Sequence, residues 1–292
     1  MEGNLSVLKF DNPKELIPEI DNLGYVIDEE LATVLFLLLK LEKPLLLEGS
    51  PGVGKTQIAY ILSDLMGYDL VRLQCYEGLD VNNAIYEWNY QKQLLAIKIH
   101  ETGKKSEQEK EDLIFGEEYL LKRPLLEAID SEKRKVLLID EVDRSDEEFE
   151  AFLLELLSDF QISIPELGTI KAKHKPIVIL TSNRTRELSD ALKRRCLYHW
   201  VNYPSMEKEL KIIKKHIPNI ESSLAEQIAD YVQKMRNLKL DKAPGIAETI
   251  DWAKGIAALN EDDNSIYKSL SCLLKSEHDM KLVSSELFNI KN

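Results

Sequence analysis

The chain has 292 residues, of which 44% are hydrophobic and 7% aromatic, and its formal net charge is −13. This length allows a sizeable buried core and favours one large domain plus a smaller one. The acidic charge argues against broad DNA binding, which needs a surplus of Lys and Arg, although a local basic patch could survive within an acidic chain.

Neither a membrane span nor a secretory signal is predicted. No apolar run reaches the roughly 20 residues that a spanning helix needs, and the first 30 residues lack the basic-then-apolar order of a secretory signal. The cysteines Cys75, Cys196 and Cys272 are odd in number and far apart, and no two histidines have ligand spacing. We therefore expect a cytoplasmic protein without a disulfide framework or a structural metal site.

The N-terminal elements lead towards a glycine-rich motif. Residues 1–25 are an irregular mixture that includes Pro13 and Pro18, which predicts an arm packed on the surface. Ile27 to Leu41 has the apolar spacing of a helix. The apolar run from Pro44 to Glu48 then predicts a strand that enters the motif directly.

The stretch from Gly49 to Thr56 has the spacing of a phosphate-binding loop. Its glycines let backbone N–H groups converge on phosphate oxygens, and the helix that begins at Lys55 presents its positive end to the same anion. We expect the Lys55 ammonium to contact the β- and γ-phosphates of ATP and the Thr56 hydroxyl to bind Mg²⁺. The predicted ATP contacts are Gly49, Ser50, Pro51, Gly52, Val53, Gly54, Lys55, Thr56, Gln57 and Asp140.

The segment after the loop helix has a less regular pattern. Asp69 to Leu73 predicts a short buried strand, whereas Cys75 to Tyr90 is rich in Tyr and Trp and follows no simple period. These aromatic residues could fill a core or form a contact surface, since Tyr and Trp serve both purposes. Residues 101–117 are polar and are predicted to be mobile, and Glu118 to Ile129 is a candidate helix despite Pro124.

Two acidic residues follow the aliphatic run from Val136 to Ile139. Such a run predicts a buried parallel strand, which delivers its last side chains to the sheet edge where ligands bind. Asp140 would hold Mg²⁺, directly or through water, and Glu141 would orient and polarise the water that attacks the γ-phosphorus. The predicted metal ligands are therefore Thr56 and Asp140.

A helix, a hairpin and another strand are predicted next. Residues 145–160 have helical spacing, with Ser145 as the cap and Glu148 completing a capping box. Alternation and a Pro-Gly turn favour a hairpin over residues 161–171. Pro176 to Thr181 then predicts a second buried strand that ends at the same sheet edge as the acidic pair.

The order of these elements resembles an AAA+ ATPase, whose fold is an α/β P-loop core with a parallel sheet followed by a small all-helical lid. Asn183, at the end of the second buried strand, resembles the sensor-1 residue that helps to position the attacking water. One of Arg194 and Arg195 resembles the arginine finger, which reaches the γ-phosphate held by the neighbouring subunit. These arginines could instead form a solvated helix end. The resemblance implies a catalytic set of Glu141, Asn183 and one of the two arginines.

Several sequence segments are similar to those of one branch of this family, the MoxR group with its CoxD-like ATPases. They are Arg72 to Gly78, Tyr86 to Tyr90 and Thr181 to Leu188, together with the helix and hairpin after Asp140 to Arg144. This resemblance, over roughly Glu42 to Trp252, implies a hexameric ring that acts as a chaperone in enzyme maturation. Its partners would be a von Willebrand A domain protein and a client metalloenzyme, such as a molybdenum hydroxylase of the carbon monoxide dehydrogenase type.

The remaining residues, 205–292, have helical periodicity and resemble the AAA+ lid. Many relatives carry a sensor-2 arginine after a Ser-Pro pair, but this chain has Gly245 at that position. Lys242 or Arg236 could substitute, or the lid could couple less tightly to the nucleotide. Trp252 is expected in the core of this region.

The predicted organisation is an arm at 1–25, a nucleotide-binding domain at 26–204 and a lid at 205–292, with ATP between the last two. The predicted function is Mg²⁺-dependent ATP hydrolysis that remodels a partner enzyme. Two other classes stay open. A DNA-acting AAA+ motor would share the nucleotide site but is disfavoured by the acidic charge, and a slow nucleotide-gated binding module would act through the conformation that it presents.

Overall fold

The computed structural model describes residues 10–100, 116–165, 167–259 and 263–288. Most of the segment predicted to be mobile, residues 101–115, lies outside these ranges. The chain divides into two compact units. The first comprises Met1–Pro13, Glu30–Glu48 and Thr56–Trp200, and the second comprises Lys14–Glu29, Gly49–Lys55 and Val201–Asn292.

Strands and helices are interspersed along the chain as far as Val201, and helices follow. The strands are β1 (Leu45–Gly49), β2 (Leu70–Gln74), β3 (Tyr86–Trp88), β4 (Leu120–Lys122), β5 (Val136–Asp140), β6 (Gln161–Ile164), β7 (Gly168–Lys171), β8 (Ile177–Ser182) and β9 (Leu197–Val201). The helices are α1 (Leu16–Asn22), α2 (Glu29–Leu41), α3 (Lys55–Met66), α4 (Val81–Ile85), α5 (Tyr90–His100), α6 (Pro124–Ile129), α7 (Glu147–Asp159), α8 (Asp190–Lys193), α9 (Met206–His216), α10 (Ser222–Arg236), α11 (Ile246–Ala258), α12 (Asp263–Lys268), α13 (Leu270–Leu273) and α14 (Glu277–Phe288).

Five strands form one sheet in the order β2-β5-β8-β1-β9. β2 pairs in parallel with β5, β5 with β8, and β8 with β1. Every residue of β1, β5 and β8 is buried, which is typical of parallel strands that are covered on both faces. Two antiparallel pairs complete the strands, namely β3 with β4 and the predicted hairpin of β6 and β7. The predicted fold class, a parallel α/β core followed by a helical region, is confirmed.

The element around Pro124 differs from the prediction of one helix over Glu118 to Ile129. The chain forms β4 first, and Arg123 has an extended backbone with φ −95° and ψ 171°. Pro124 is then the first residue of α6. Proline fits that position because its missing N–H would have no helical partner there, and it disfavours helical geometry in the residue before it. The prediction is wrong because it placed proline inside the helix.

The cap of α7 also differs by one residue from the predicted capping box. Asp146, not Ser145, is the cap, and its carboxylate accepts the backbone N–H of Phe149 at 2.8 Å. The Ser145 hydroxyl instead donates to the carbonyl of Val142 at 2.7 Å. Both residue types cap helices well, so local preference alone does not distinguish them.

The second unit contains α1 and the helices from α9 onwards. Trp252 lies in its core with 0% exposure, as predicted, and its indole N–H donates to the carbonyl of Ile266 at 3.3 Å. Leu16 and Ile20 of α1 are fully buried, so part of the predicted arm is a packed helix. None of the described helices is both long enough and apolar enough to span a membrane.

A buried ion pair joins α9 and α10 within this unit. Arg236 donates to both carboxylate oxygens of Glu209, at 2.6 and 2.8 Å, and the two side chains are 6% and 1% exposed. Gln233 and Thr249 donate to the same carboxylate at 2.7 and 3.3 Å. Burial raises the pKa of Glu209 above its ordinary value, and these donors counteract that shift. The Arg236 guanidinium is therefore committed to the packing of the helical unit.

Candidate active site

The glycine-rich loop holds its lysine tightly within the second unit. The Lys55 ammonium donates to the carbonyl oxygens of Gly49 and Ser50, both at 2.8 Å, and the residue is 6% exposed. Gly52 and Gly54 have φ values of 78° and 89°, in the region that favours glycine. The loop thus keeps a buried cation beside the start of a helix, an arrangement suited to phosphate. Of the other predicted ATP contacts here, Pro51 is exposed, Val53 is buried, and Gln57 is exposed in the first turn of α3.

The loop also touches the helical part of its own unit through glycine backbones. A Cβ on Gly245 would lie 2.8 Å from Cα and 2.9 Å from the carbonyl oxygen of Gly52, so a side chain does not fit there. The N–H of Ile246 donates to the Gly52 carbonyl at 2.8 Å. This close approach is a physical reason for glycine where a sensor-2 arginine is expected. Arg236, one of the two residues that could substitute for that arginine, is instead paired with Glu209.

In the first unit, Asp140 ends β5, and its buried carboxylate accepts hydrogen bonds from four donors. Its Oδ1 accepts the hydroxyls of Thr56 at 3.0 Å and Thr181 at 2.5 Å. Its Oδ2 accepts Nε and Nη2 of Arg72 at 3.1 and 2.5 Å. The two predicted metal ligands, Thr56 and Asp140, are thus in direct contact. Both offer oxygen atoms as metal ligands, which is the hard type of ligand that Mg²⁺ prefers.

Glu141 and Asn183, predicted to handle the attacking water, also lie together. Glu141 has left-handed backbone angles, φ 55° and ψ 48°, which are uncommon outside glycine and often found at functional sites. Its N–H donates to the Thr181 hydroxyl at 2.9 Å. Its Oε1 accepts Nδ2 of Asn183 at 3.4 Å, and its Oε2 pairs with Nε of Arg144 at 2.9 Å.

A buried carboxylate fixes the segment that carries Asn183. Asp143, 2% exposed, accepts the N–H groups of Asn183 at 3.1 Å and Thr185 at 2.8 Å, and the Thr185 hydroxyl at 2.7 Å. Asp143, Thr181 and Arg72 were not predicted as site residues. The available signal was weak, since Thr181 is simply a polar residue at the end of an aliphatic run and Asp143 is one of several acidic residues after another.

Cys75 carries a buried thiol whose pKa is influenced by these acids. Burial raises the pKa of the Cys75 thiol to about 12, and the charges of Asp140, Asp143 and Glu141 add to the shift. The thiol is therefore protonated at neutral pH, and only the thiolate is a strong nucleophile or metal ligand. We assign Cys75 to the core, where it is 1% exposed.

The paired arginines after α8 have different surroundings. Arg195 donates from Nε to the hydroxyl of Ser158 at 2.6 Å and from Nη1 to the carbonyl of Ala191 at 2.9 Å. Arg194 is exposed, and its guanidinium has no hydrogen bond or ion pair to any of the described residues. Arg194 can therefore reach another molecule without breaking existing side-chain contacts.

A separate group in the second unit brings potential ligand atoms of Asp241, His278 and Asp279 within 4.8 Å of one another. Asp279 is already engaged, because its carboxylate accepts the N–H groups of Asp241 at 2.8 Å and Lys242 at 3.2 Å. Burial acts to raise the pKa of Asp279, but these bonds and those from Ser276 and His278 together lower it below its ordinary value. The cluster is explained as support for a loop, and we assign no metal to it.

Comparison with known families matches residues 44–196 to the AAA domain of the dynein-related subfamily, which is more than half of the chain. The chain belongs to the AAA family. As an AAA+ ATPase, it binds nucleotide and hydrolyses ATP.

The chain is 24% identical over 272 residues to an uncharacterised protein of Staphylococcus haemolyticus, a match that covers 89% of this chain and 95% of that protein. An uncharacterised protein of Staphylococcus epidermidis matches at 24% over 258 residues, covering 84% and 90%.

More distant matches concern a short segment or the fold alone. Midasin of Giardia intestinalis is 38% identical over 47 residues, which is 16% of this AAA+ ATPase and 1% of midasin. Two mutants of Thermotoga maritima RuvB are similar in structure, each at 18% identity. Their TM-scores are 0.55 and 0.53, and the alignments cover 92% and 91% of this chain and 79% and 78% of RuvB. At this identity the likeness establishes only a shared fold.

Proposed function

We propose that this AAA+ ATPase uses Mg²⁺ and works as a ring-forming remodelling motor of the MoxR type. The observation that carries the catalytic part is the contact of Glu141 with Asn183 beside the Asp140 carboxylate. An acid, an amide and a metal-binding carboxylate at adjacent strand ends are the groups that hydrolysis of a γ-phosphate requires.

Each side chain has a role that follows from its chemistry. Lys55 would neutralise the β- and γ-phosphates, and Thr56 and Asp140 would hold Mg²⁺, which offsets the negative charge of the phosphates. Glu141 would accept a proton from the attacking water, while the Asn183 amide would orient that water.

Arg194, rather than Arg195, would be the arginine finger that completes the site of a neighbouring subunit. The free guanidinium of Arg194 supports this choice, since Arg195 is held by Ser158 and Ala191. A cation supplied by a neighbour stabilises the charge of the transition state and couples the subunits of a ring.

A mixing experiment tests the ring and the finger together. Arg194→Ala alone should lose about 1,000-fold or more in kcat, the scale of an arginine finger, while Arg195→Ala should retain most turnover. Glu141→Gln should also be inactive alone. Because an E141Q subunit can lend its Arg194 to an R194A subunit, the mixture should regain turnover. No recovery in a mixed oligomer would mean that the arginine does not act on a neighbour.

The remodelling role rests on sequence segments that resemble those of the MoxR group and its CoxD-like ATPases, namely Arg72 to Gly78, Tyr86 to Tyr90 and Thr181 to Leu188. The expected partners are a von Willebrand A domain protein and a client metalloenzyme such as a molybdenum hydroxylase, in the cytoplasm. ATP turnover by the hexamer should rise when such a partner and its client are added together. A slow nucleotide-gated module would instead bind its partner in only one nucleotide state without faster turnover.

A DNA-acting motor is the alternative function, because the fold is similar to that of RuvB, although fold alone does not assign function. The net charge of −13 disfavours a DNA track. We therefore expect duplex and branched DNA to leave kcat unchanged at 50 mM salt, where electrostatic binding is strongest. Stimulation by DNA that disappears at higher salt would overturn the remodelling proposal in favour of the motor.

A further inference from the structure

The Asp140 carboxylate has no spare acceptor position on either oxygen. Its Oδ1 receives the hydroxyls of Thr56 and Thr181, and its Oδ2 receives two N–H groups of Arg72. A carboxylate offers about four lone-pair positions. A metal ion bound through Asp140, directly or through water, therefore has to displace one of these donors.

The three residues that supply these four donors differ in how easily their side chains can move away. Thr181 lies in β8, is 1% exposed, and also accepts the N–H of Glu141 at 2.9 Å. Thr56 is itself the proposed second ligand of the metal. The Arg72 side chain is long and 44% exposed, and its Nη2 also donates to Gln74 at 2.5 Å, so it has an alternative partner. Arg72 is the donor that can move.

Charge explains why an arginine lies there at all. The Asp140 side chain is 4% exposed, and a buried carboxylate without a cation is costly. The Arg72 guanidinium supplies that cation from β2, the strand that pairs with β5. A divalent cation held by Asp140 would supply the same charge, so the guanidinium would be redundant there and, being positive, would oppose the metal.

We propose that Arg72 is a displaceable cation on the metal-binding carboxylate, which holds Asp140 in place without metal and leaves its Oδ2 when Mg²⁺ binds. This inference rests on the proposed Mg²⁺ dependence and adds a positioning residue that sets how strongly the metal is required. Arg72 thus raises the Mg²⁺ concentration at which the nucleotide is held tightly.

Binding of a fluorescent, non-hydrolysable ATP analogue tests this without relying on turnover. For each variant, the Kd is measured in EDTA and in Mg²⁺, and the ratio of the two gives the contribution of the metal. Arg72→Gln should raise that ratio by about five- to tenfold, because a competing charge-assisted contact is lost. Arg72→Lys, which keeps the charge, should stay near the wild-type ratio.

Lys135→Gln is the matched control. Lys135 pairs with Asp69 at 2.7 Å just before β5 and β2 begin, so it joins the same two strands at their opposite ends. This variant should keep the wild-type ratio. An unchanged or lower ratio in Arg72→Gln would overturn the inference and leave Mg²⁺-dependent hydrolysis intact. A wild-type ratio near one would instead contradict the proposed Mg²⁺ dependence itself.

Discussion

Replacing Glu141 with Gln is expected to stop ATP turnover while ATP binding persists. The substitution removes the carboxylate that would accept the proton of the attacking water but preserves the shape of the side chain. We expect kcat to fall by about 100- to 10,000-fold, the usual effect of losing a general base. The Kd for ATP should change by less than about threefold, since the phosphate contacts are made elsewhere. Single-turnover hydrolysis and equilibrium binding of labelled ATP measure the two quantities separately.

Most contacts of residue 141 should be preserved in the Gln variant. The Glu141 backbone is held by the Thr181 hydroxyl at 2.9 Å, and a Gln side chain can still accept Nδ2 of Asn183 through its amide oxygen. What the amide loses is basicity and the ion pair with Arg144. Glu148→Gln, an exposed position on α7 with the same change of charge, is the matched control. If E141Q retained more than about a tenth of the turnover, Glu141 would not be the base.

The sequence was most informative where spacing or composition is decisive. The phosphate loop is fixed by four set positions, and β5 and β8 are fixed by aliphatic runs that no exposed element would carry. Both strands end in the predicted polar residues, and the contact of Glu141 with Asn183 follows because parallel strands bring their carboxyl ends to one edge.

The missed residues depend on register, which a single sequence does not reveal. Arg72 is an arginine in a short strand, and only its pairing opposite Leu138 brings its side chain to Asp140, two residues further along β5. Asp143 reaches Asn183 and Thr185 across about forty residues of chain. The predicted cap at Ser145 was wrong because Ser145 and Asp146 have nearly equal capping preferences, and the predicted helix over Glu118 to Ile129 was wrong because it placed Pro124 in its interior.

The side-chain contacts of Arg236 in the helical unit were likewise not predictable from the sequence. Its charge made Arg236 a candidate for the missing sensor 2, but its side chain is inside, paired with Glu209 and 6% exposed. Gly245, by contrast, was recognised from sequence as a departure from the family, and the structure supplies the cause. The backbone of Gly52 is too close for any side chain at that position.

Replacing Arg236 with Met is expected to destabilise the helical unit more than any surface substitution. It would leave the Glu209 carboxylate buried with only Gln233 and Thr249 as donors. Breaking a buried pair from one side costs about 3–5 kcal/mol. Hydrogen exchange in peptides from α9 and α10 measures this loss locally, so it does not require the whole chain to unfold in one step.

The loss of stability in the Met variant should depend on pH. Burial already raises the pKa of Glu209, and removal of Arg236 should raise it further. A carboxyl group with a raised pKa in the folded state contributes stability below its unfolded pKa and loses it as pH rises through the folded value. The deficit of the Met variant should therefore be largest near pH 8 and shrink on acidification towards pH 5, as Glu209 takes up a proton.

Two further variants separate charge from packing. Lys234→Met is the control on the same helix, α10. Lys234 pairs with Asp230 at 2.6 Å, and both side chains are about half exposed. Loss of this pair should leave hydrogen exchange nearly unchanged. The double replacement of Arg236 and Glu209 by Met should recover much of the lost protection, because it removes the unpaired buried charge. A deficit that is independent of pH and persists in the double variant would show that the cost comes from shape, and the ion pair would not be what the unit depends on.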